Sequence, residues 1–323
     1  MSNLVKLAAK DCYVSEEWIK SVIDSGPNNV KIIHIKKKGD PNKTRIIHRP
    51  SAELETLQRW LTLTIFNQLA NHEIAMAFLR GKSILSNAER HRKSKYFIRV
   101  DFKDFFKSIK ADDLFKTIKF YNKSNSLISL SESDQFFIKR VCFDKLGRLP
   151  IGYISSPAIS NAVMYDFDTR LLSLVNDNKA KLGAGIITRY ADDIVFSTDT
   201  KGGCLEFLNL FKIMVNKNLS PRIFINEKKT IFSSRAGGSA IVTGLRVCQD
   251  SHITITRDYK DKIRLMLSLF EKGKLMQEDT ATLRGHLSYI EHVAPAFFSK
   301  ICAKYLYGIS KILDPTPSPQ QNN

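Results

Sequence analysis

Two short apolar runs, residues 186–190 and 194–198, are separated only by Ala191, Asp192 and Asp193. Runs of this length and composition read as strands, and so short a connection forces an antiparallel hairpin. The acids at its tip are the constraint. Adjacent carboxylates repel. A chain keeps them at a turn because Asp bonds its own backbone there, or because a cation sits between them and their neighbours. A further β-rich run, residues 96–102, carries another acid, Asp101, near its end. If that run lies beside the hairpin, Asp101 and Asp192 face each other across a narrow gap. Oxygen ligands at this density suit Mg²⁺, which takes carboxylates together with substrate phosphates. Two such ions can clamp the attacking and leaving oxygens of a phosphoryl transfer.

Around this hairpin the periodicity is mixed. Residues 1–30 read as a helical lead-in, started at Ser15-Glu16-Glu17-Trp18 and stopped by Gly26-Pro27. An alternating run at 30–35, a basic loop at 36–43 and a return run at 44–48 read as a second hairpin. Leu54, Leu57, Leu61, Ile65 and Leu69 recur at helical steps and predict a helix over 51–70. Helical patterns also cover 131–143, 156–175 and 204–217; strands are predicted at 241–247 and 252–256, and 258–312 is mostly helical. Strands and helices mixed without strict alternation give an α+β class. Residues 313–323, rich in Pro, Ser, Gln and Asn, are expected to form a disordered tail.

Charge narrows the partner. Among 323 residues, 50 Lys and Arg stand against 32 Asp and Glu, a net charge of +18. A compact protein this basic repels itself unless it meets a polyanion, so nucleic acid is the expected partner. With 43% hydrophobic and 25% charged residues, a wholly disordered, collagen-like or coiled-coil chain is excluded. No run approaches the ~20 apolar residues of a spanning helix, and Lys6, Lys10 and Asp11 break any signal-peptide core, so no membrane partner is expected. The widely spaced Cys12, Cys142, Cys204, Cys248 and Cys302 form no C-x-x-C, which indicates neither a zinc knuckle nor a disulfide framework and fits a cytoplasmic location.

Read together, the motifs resemble a reverse transcriptase. Tyr190-Ala191-Asp192-Asp193 matches the Y-x-D-D box, and Val100-Asp101-Phe102 with Phe105-Phe106 matches the preceding aspartate block. Thr44-Arg45-Ile46-Ile47 with Pro50 is similar to the fingers block, residues 149–157 to the L-P-Q-G-x-x-x-S-P block, and Asn226-Glu227-Lys228-Lys229-Thr230 to the block after the palm hairpin. The blocks stand in the family's order. Asn87-Ala88-Glu89-Arg90-His91 and Val242-Thr243-Gly244 resemble the N-A-x-x-H and V-T-G signatures of bacterial retron enzymes. One position departs: Ile151 stands where the family has Gln, near its template–nucleotide pocket.

The resemblance implies a right-hand polymerase fold, with fingers and palm (antiparallel sheet plus helices) over 31–250 and a helical thumb over 251–312. It implies RNA-directed DNA polymerase activity that copies part of a cognate structured non-coding RNA into branched msDNA from dNTPs, within an antiphage defence system. Asp101, Asp192 and Asp193 would be catalytic and hold two Mg²⁺. Lys43, Arg45 and Lys228 would meet the triphosphate, and Phe106, five residues after Asp101, would pack on the sugar and exclude a 2′-hydroxyl. Residues 31–49 carry seven Lys and Arg against one acid, which suits phosphate contact. His91, Arg284, His286 and Lys300 are candidates for RNA binding. The residues beyond Asp250 amount to about half a typical domain, so template removal is expected from host RNase H, and a separate effector protein is expected as partner. A diversity-generating reverse transcriptase, a non-catalytic RNA-binding regulator and a palm-type nucleotide cyclase stay open. The retron signatures speak against the first, the intact acids against the second, and the charge and thumb against the third.

Overall fold

In the computed structural model, residues 3–37, 40–125 and 129–313 are described, with the side chains of 37, 40–43 and 121–125 excepted. Helices α1 (Asn3–Cys12) and α2 (Glu16–Ser25) form the lead-in, and the Ser15 hydroxyl caps α2 by accepting from the Trp18 N–H at 3.1 Å. Strands β1 (Val30–Lys37) and β2 (Asp40–Pro50) pair antiparallel with Ile35 opposite Arg45. Helix α3 (Ala52–Thr64) ends earlier than the predicted 51–70, because Ile65 leaves the helical backbone at φ −122° and Phe66–Gln68 makes a single 3₁₀ turn. Then come α4 (Ile84–His91), β3 (Tyr96–Asp101), α5 (Phe105–Ser108), α6 (Ala111–Asn125) and α7 (Glu132–Cys142). The helix expected over 156–175 is two, α8 (Ser156–Val163) and α9 (Tyr165–Asp177), broken at Met164 where ψ is −2°.

After α10 (Lys179–Leu182) come β4 (Ile186–Tyr190), β5 (Asp193–Thr198), α11 (Gly203–Lys217) and β6 (Ile231–Ser234). The strand expected over 241–247 is instead a hairpin of β7 (Ser239–Val242) and β8 (Leu245–Cys248). Thr243 and Gly244 take φ of +46° and +82°, the mirror-image turn whose twist suits paired strands. Strand β9 (Ile253–Ile255) joins β8, and α12 (Arg257–Glu271), α13 (Gln277–Val293), α14 (Pro295–Lys304) and α15 (Leu306–Leu313) make up the helical region. The expected tail lies outside the described residues, save for Leu313, which ends α15.

Packing divides the chain into two units, Met1–Lys82 with Ile98–Ile231, and Ser83–Phe97 with Phe232–Asn323. The first holds the Asp192 hairpin. Its core is aromatic: Phe196 stacks on Phe207 at 4.3 Å, Phe207 on Phe211 at 5.4 Å, and Phe102 meets Phe167 and Phe211 at 5.7 and 6.1 Å. Fully burying each such ring contributes roughly 1.5–3 kcal/mol, so α9 and α11 fix β5 and the end of β3 in place. The second unit groups α4 and the β7-β8-β9 sheet with α12–α15 around Leu245, Ile263, Leu267, Leu283 and Leu287, all fully buried.

Candidate active site

The acids lie at neighbouring strand ends. In the β4–β5 hairpin Tyr190 pairs with Asp193, so Asp193 opens β5 and the turn itself is Ala191-Asp192. Ala191 sits at φ +56°, a left-handed conformation that costs a residue with a Cβ roughly 1–2 kcal/mol. The Phe102 N–H donates to the Asp192 carbonyl at 3.0 Å, which brings the turn beside Asp101 at the end of β3. Asp101 is buried, at 7% exposure, while Asp192 and Asp193 are half-buried. Burial raises the Asp192 carboxyl above its ordinary value; the neighbouring Asp101 adds to this, while Lys229 and Arg45 oppose it. Asp193 is pushed up to about 6, first by burial and then by Asp192, against the Arg99 guanidinium.

The third wall comes from the chain after α11. The Lys103 N–H donates to the Phe224 carbonyl at 2.8 Å and the Asn226 N–H to the Asp101 carbonyl at 2.8 Å, so residues 224–226 run beside Asp101. Asn226 Nδ2 then donates to Asp101 Oδ1 at 3.0 Å, and Lys229 Nζ to Asp101 Oδ2 at 2.9 Å. A 3₁₀ turn at Glu227–Lys229 sends Lys229 back to the acid and leaves Lys228 exposed. The sequence reading missed Asn226 and Lys229, although both lie within the block it singled out. It also missed what holds the turn. Arg189 and Asp168, both fully buried, form a two-pronged pair at 2.7 and 2.6 Å, and Arg189 Nη1 donates to the Ala191 carbonyl at 3.3 Å and to Asn161 Oδ1 at 3.2 Å. An Arg just before the acid box and an Asp on a helix gave no signal that they pair.

The other expected residues separate. Arg45 is exposed on β2, yet near enough for its charge to favour ionised Asp192. The Lys43 side chain lies outside the described residues. Phe106 is half-buried, 5.4 Å from Phe105 and 6.4 Å from Phe78. Ile151 joins β2 through its backbone, accepting from the His48 N–H at 2.8 Å, and a Cβ on Gly152 would come within 2.5 Å of the His48 carbonyl, so that block needs its glycine.

In the second unit His91 is fully buried beside Phe97, and burial, with Arg90 adding to it, lowers its pKa to about 3. A neutral, enclosed imidazole is not placed to meet RNA. The two signatures containing Asn87 and Thr243 lie together: Asn87 Nδ2 reaches Thr243 Oγ1 at 3.5 Å, and that hydroxyl donates to the Ile84 carbonyl at 3.2 Å. Arg284 Nε donates to the Ile312 carbonyl at 2.7 Å, and His286 Nδ1 lies 2.6 Å from the Tyr259 hydroxyl. Lys300 is exposed.

Comparison with known proteins agrees with this geometry. The family described as reverse transcriptase (RNA-dependent DNA polymerase) matches residues 35–266. The Retron Ec73 reverse transcriptase of Escherichia coli is 41% identical over 86% of this chain and 87% of its own length, and the Retron Ec83 enzyme of the same organism is 30% identical over 84% and 87%. The chain belongs to the retron reverse transcriptases. It has the right-hand polymerase fold and RNA-directed DNA polymerase activity of its family. Among solved structures, apo telomerase from Candida Tropicalis shares the fold at TM-score 0.50 and 14% identity, over 91% of this chain and 62% of that one.

A reverse transcriptase takes a nucleic-acid template and depends on a divalent metal. The donor set fits such an ion: hard carboxylate oxygens on adjoining strand ends, one of which already accepts the Lys229 ammonium. As a set, the three acids do not close to within 4.8 Å; among the described residues only Cys248, Asp250 and His252 do so. There His252 Nδ1 is taken by Asp250 at 2.5 Å, and the Arg235 guanidinium donates to the Cys248 and Gln249 carbonyls, which makes the cluster a braced turn with a cation already beside it. Among the described residues no helix is long and apolar enough to cross a membrane.

Proposed function

We propose that this reverse transcriptase copies part of a cognate structured non-coding RNA into branched msDNA in the bacterial cytoplasm, as part of an antiphage defence system. Asp101 and Asp192 carry the reading. They are held at neighbouring strand ends by the bond from Phe102 to Asp192, and Asp101 already receives a cation. Asp101 and Asp192 would hold two Mg²⁺, with Asp193 in support; bound there, the ions would activate the primer hydroxyl and stabilise the leaving pyrophosphate. Arg45, Lys43 and the Lys228-Lys229 pair would neutralise the triphosphate, Arg45 as a planar fork and the lysines as point charges. Phe106 would lie under the sugar and exclude a 2′-hydroxyl. Fingers and palm over 31–250 and a thumb over 251–312 would grip the duplex through phosphates, in keeping with the charge of +18. The retron names of the relatives support a dedicated RNA partner; host RNase H would trim the template and a separate effector would act downstream. The test is to isolate the protein from its host and sequence the nucleic acid it carries. A DNA joined to RNA by a 2′,5′ branch is expected; unbranched or host-derived RNA alone would contradict the proposal.

A further inference from the structure

Phe78 is out of place by two measures. Its backbone is left-handed at φ +62°, a conformation uncommon outside glycine and an outlier for a bulky residue. The residue is 51% exposed, so burial does not compensate for the strain. Strain of this kind persists where the surroundings impose it, and such positions cluster at functional sites. Here the surroundings impose it through the segment just before it. Residues 74–77 are buried and bonded into the hairpin that bears the acids: the Arg189 N–H donates to the Ile74 carbonyl at 2.8 Å, the Met76 N–H to the Arg189 carbonyl at 2.8 Å, and Asn161 Nδ2 to the Ala77 carbonyl at 2.9 Å. The same Arg189 and Asn161 support the Ala191-Asp192 turn. Phe78 therefore leaves a buried segment that shares its anchor with the acid-bearing turn, and its ring stands 6.4 Å from Phe106, tilted by 54°.

We propose that Phe78 is a substrate-binding residue whose exposed ring stacks on a nucleobase at the active site, with Phe106 beside it under the sugar. This rests on the reading of Phe106 as the sugar contact. An aromatic face suits the task because every base offers a π-surface, so stacking holds the base without selecting its identity. The left-handed backbone keeps the ring out of the core and ready to receive the base, so little order is lost on binding. The base belongs either to the incoming dNTP or to the template strand, and the two leave different kinetic marks.

The experiment compares Phe78→Ala, Phe78→Tyr and Phe78→Gly with wild type and with Phe106→Ala, on a primed RNA template. Phe78→Ala is expected to raise the dNTP KM about tenfold, in line with the stacking energy of one base, while discrimination between dNTP and rNTP stays as in wild type. A tenfold weaker primer–template Kd with unchanged KM would support the proposal and assign the base to the template. Phe78→Tyr is expected to restore either parameter. Phe78→Gly is expected to lose the same binding yet melt no lower than wild type, because glycine relieves the left-handed backbone. Unchanged KM and Kd in Phe78→Ala would overturn the proposal, and so would a Phe78→Gly protein that melts well below wild type, since the ring would then be packing for stability. If Phe106→Ala leaves sugar discrimination intact, the sugar reading fails on its own, and the Phe78 variants still decide the stacking.

Discussion

Asp168 and the acids of the Asp192 turn are tied to the same hairpin, and their charges are handled in opposite ways. Asp168 is fully buried and meets a fully buried guanidinium through two short bonds, so its charge is spent inside the protein. Asp192 and Asp193 are half-buried; burial raises both carboxyls, with Asp101 adding to the first and Asp192 to the second, and the lysine bonded to neighbouring Asp101, Lys229, is 59% exposed on its flexible stem. A charge satisfied in the interior is architecture. A charge left short of a counter-ion at a strand end is a place for an incoming cation. The second unit follows the first pattern: His91 is enclosed, Arg284 caps a helix carbonyl, and His286 is engaged by Tyr259.

The two kinds of acid differ most in what their loss does to rate. Asp192→Asn is expected to lower primer extension about 10³-fold or more, since metal-held charge is worth several kcal/mol in the transition state. RNA retention on a filter should stay near wild type, because phosphate contacts dominate affinity. Asp168→Asn should act on stability instead. Leaving Arg189 buried without its partner costs about 3–5 kcal/mol in a denaturant melt, whereas the double change Asp168→Leu with Arg189→Met should recover most of it.

His91 gives a smaller, pH-dependent effect. Its folded pKa of about 3 lies below the ordinary 6.5, so its contribution is complete above 6.5 and is lost as pH falls toward 3. The slope is at most about 1.4 kcal/mol per pH unit. His91→Asn should remove that slope in melts taken across the window and leave RNA retention unchanged. Asp193 has the opposite sign. Its folded pKa, about 6, lies above the ordinary 3.8, so ionising it weakens the metal-free fold as pH rises through 6. Asp193→Asn should therefore stabilise metal-free protein at pH 7, by less than about 1 kcal/mol after solvent screening, with no gain at pH 4.

The acid turn was legible because strand geometry decides it. Two apolar runs and a three-residue link leave Asp192 at the tip whatever surrounds it; that β3 ends on Asp101 beside the hairpin was only a condition in the sequence, and the bond from Phe102 to Asp192 meets it. Lys229 was not legible: the choice between it and Lys228 depends on one 3₁₀ turn. The helical candidates were harder still. Arg284 and His286 sit on α13, where a polar side chain can turn to water or to a neighbouring helix, and only the packing of α12 and α15 reveals that it does the second. The N-A-x-x-H and V-T-G stretches pointed to the right family, and in the structure Asn87 and Thr243 brace one another, while His91 is buried. Helix breaks at Ile65 and Met164 were invisible to periodicity because the apolar spacing continues through both.

Metal binding tests the distinction between spent and unspent charge most directly. Mn²⁺ would be titrated into wild type, Asp101→Asn, Asp192→Asn and Cys248→Ser, and bound ion read by electron paramagnetic resonance without template or dNTP. The expectation is that Asp101→Asn and Asp192→Asn each weaken binding at least tenfold and that Cys248→Ser binds as wild type does. Binding that survives both acid variants and disappears in Cys248→Ser would contradict it, and would move the metal to the turn braced by Arg235.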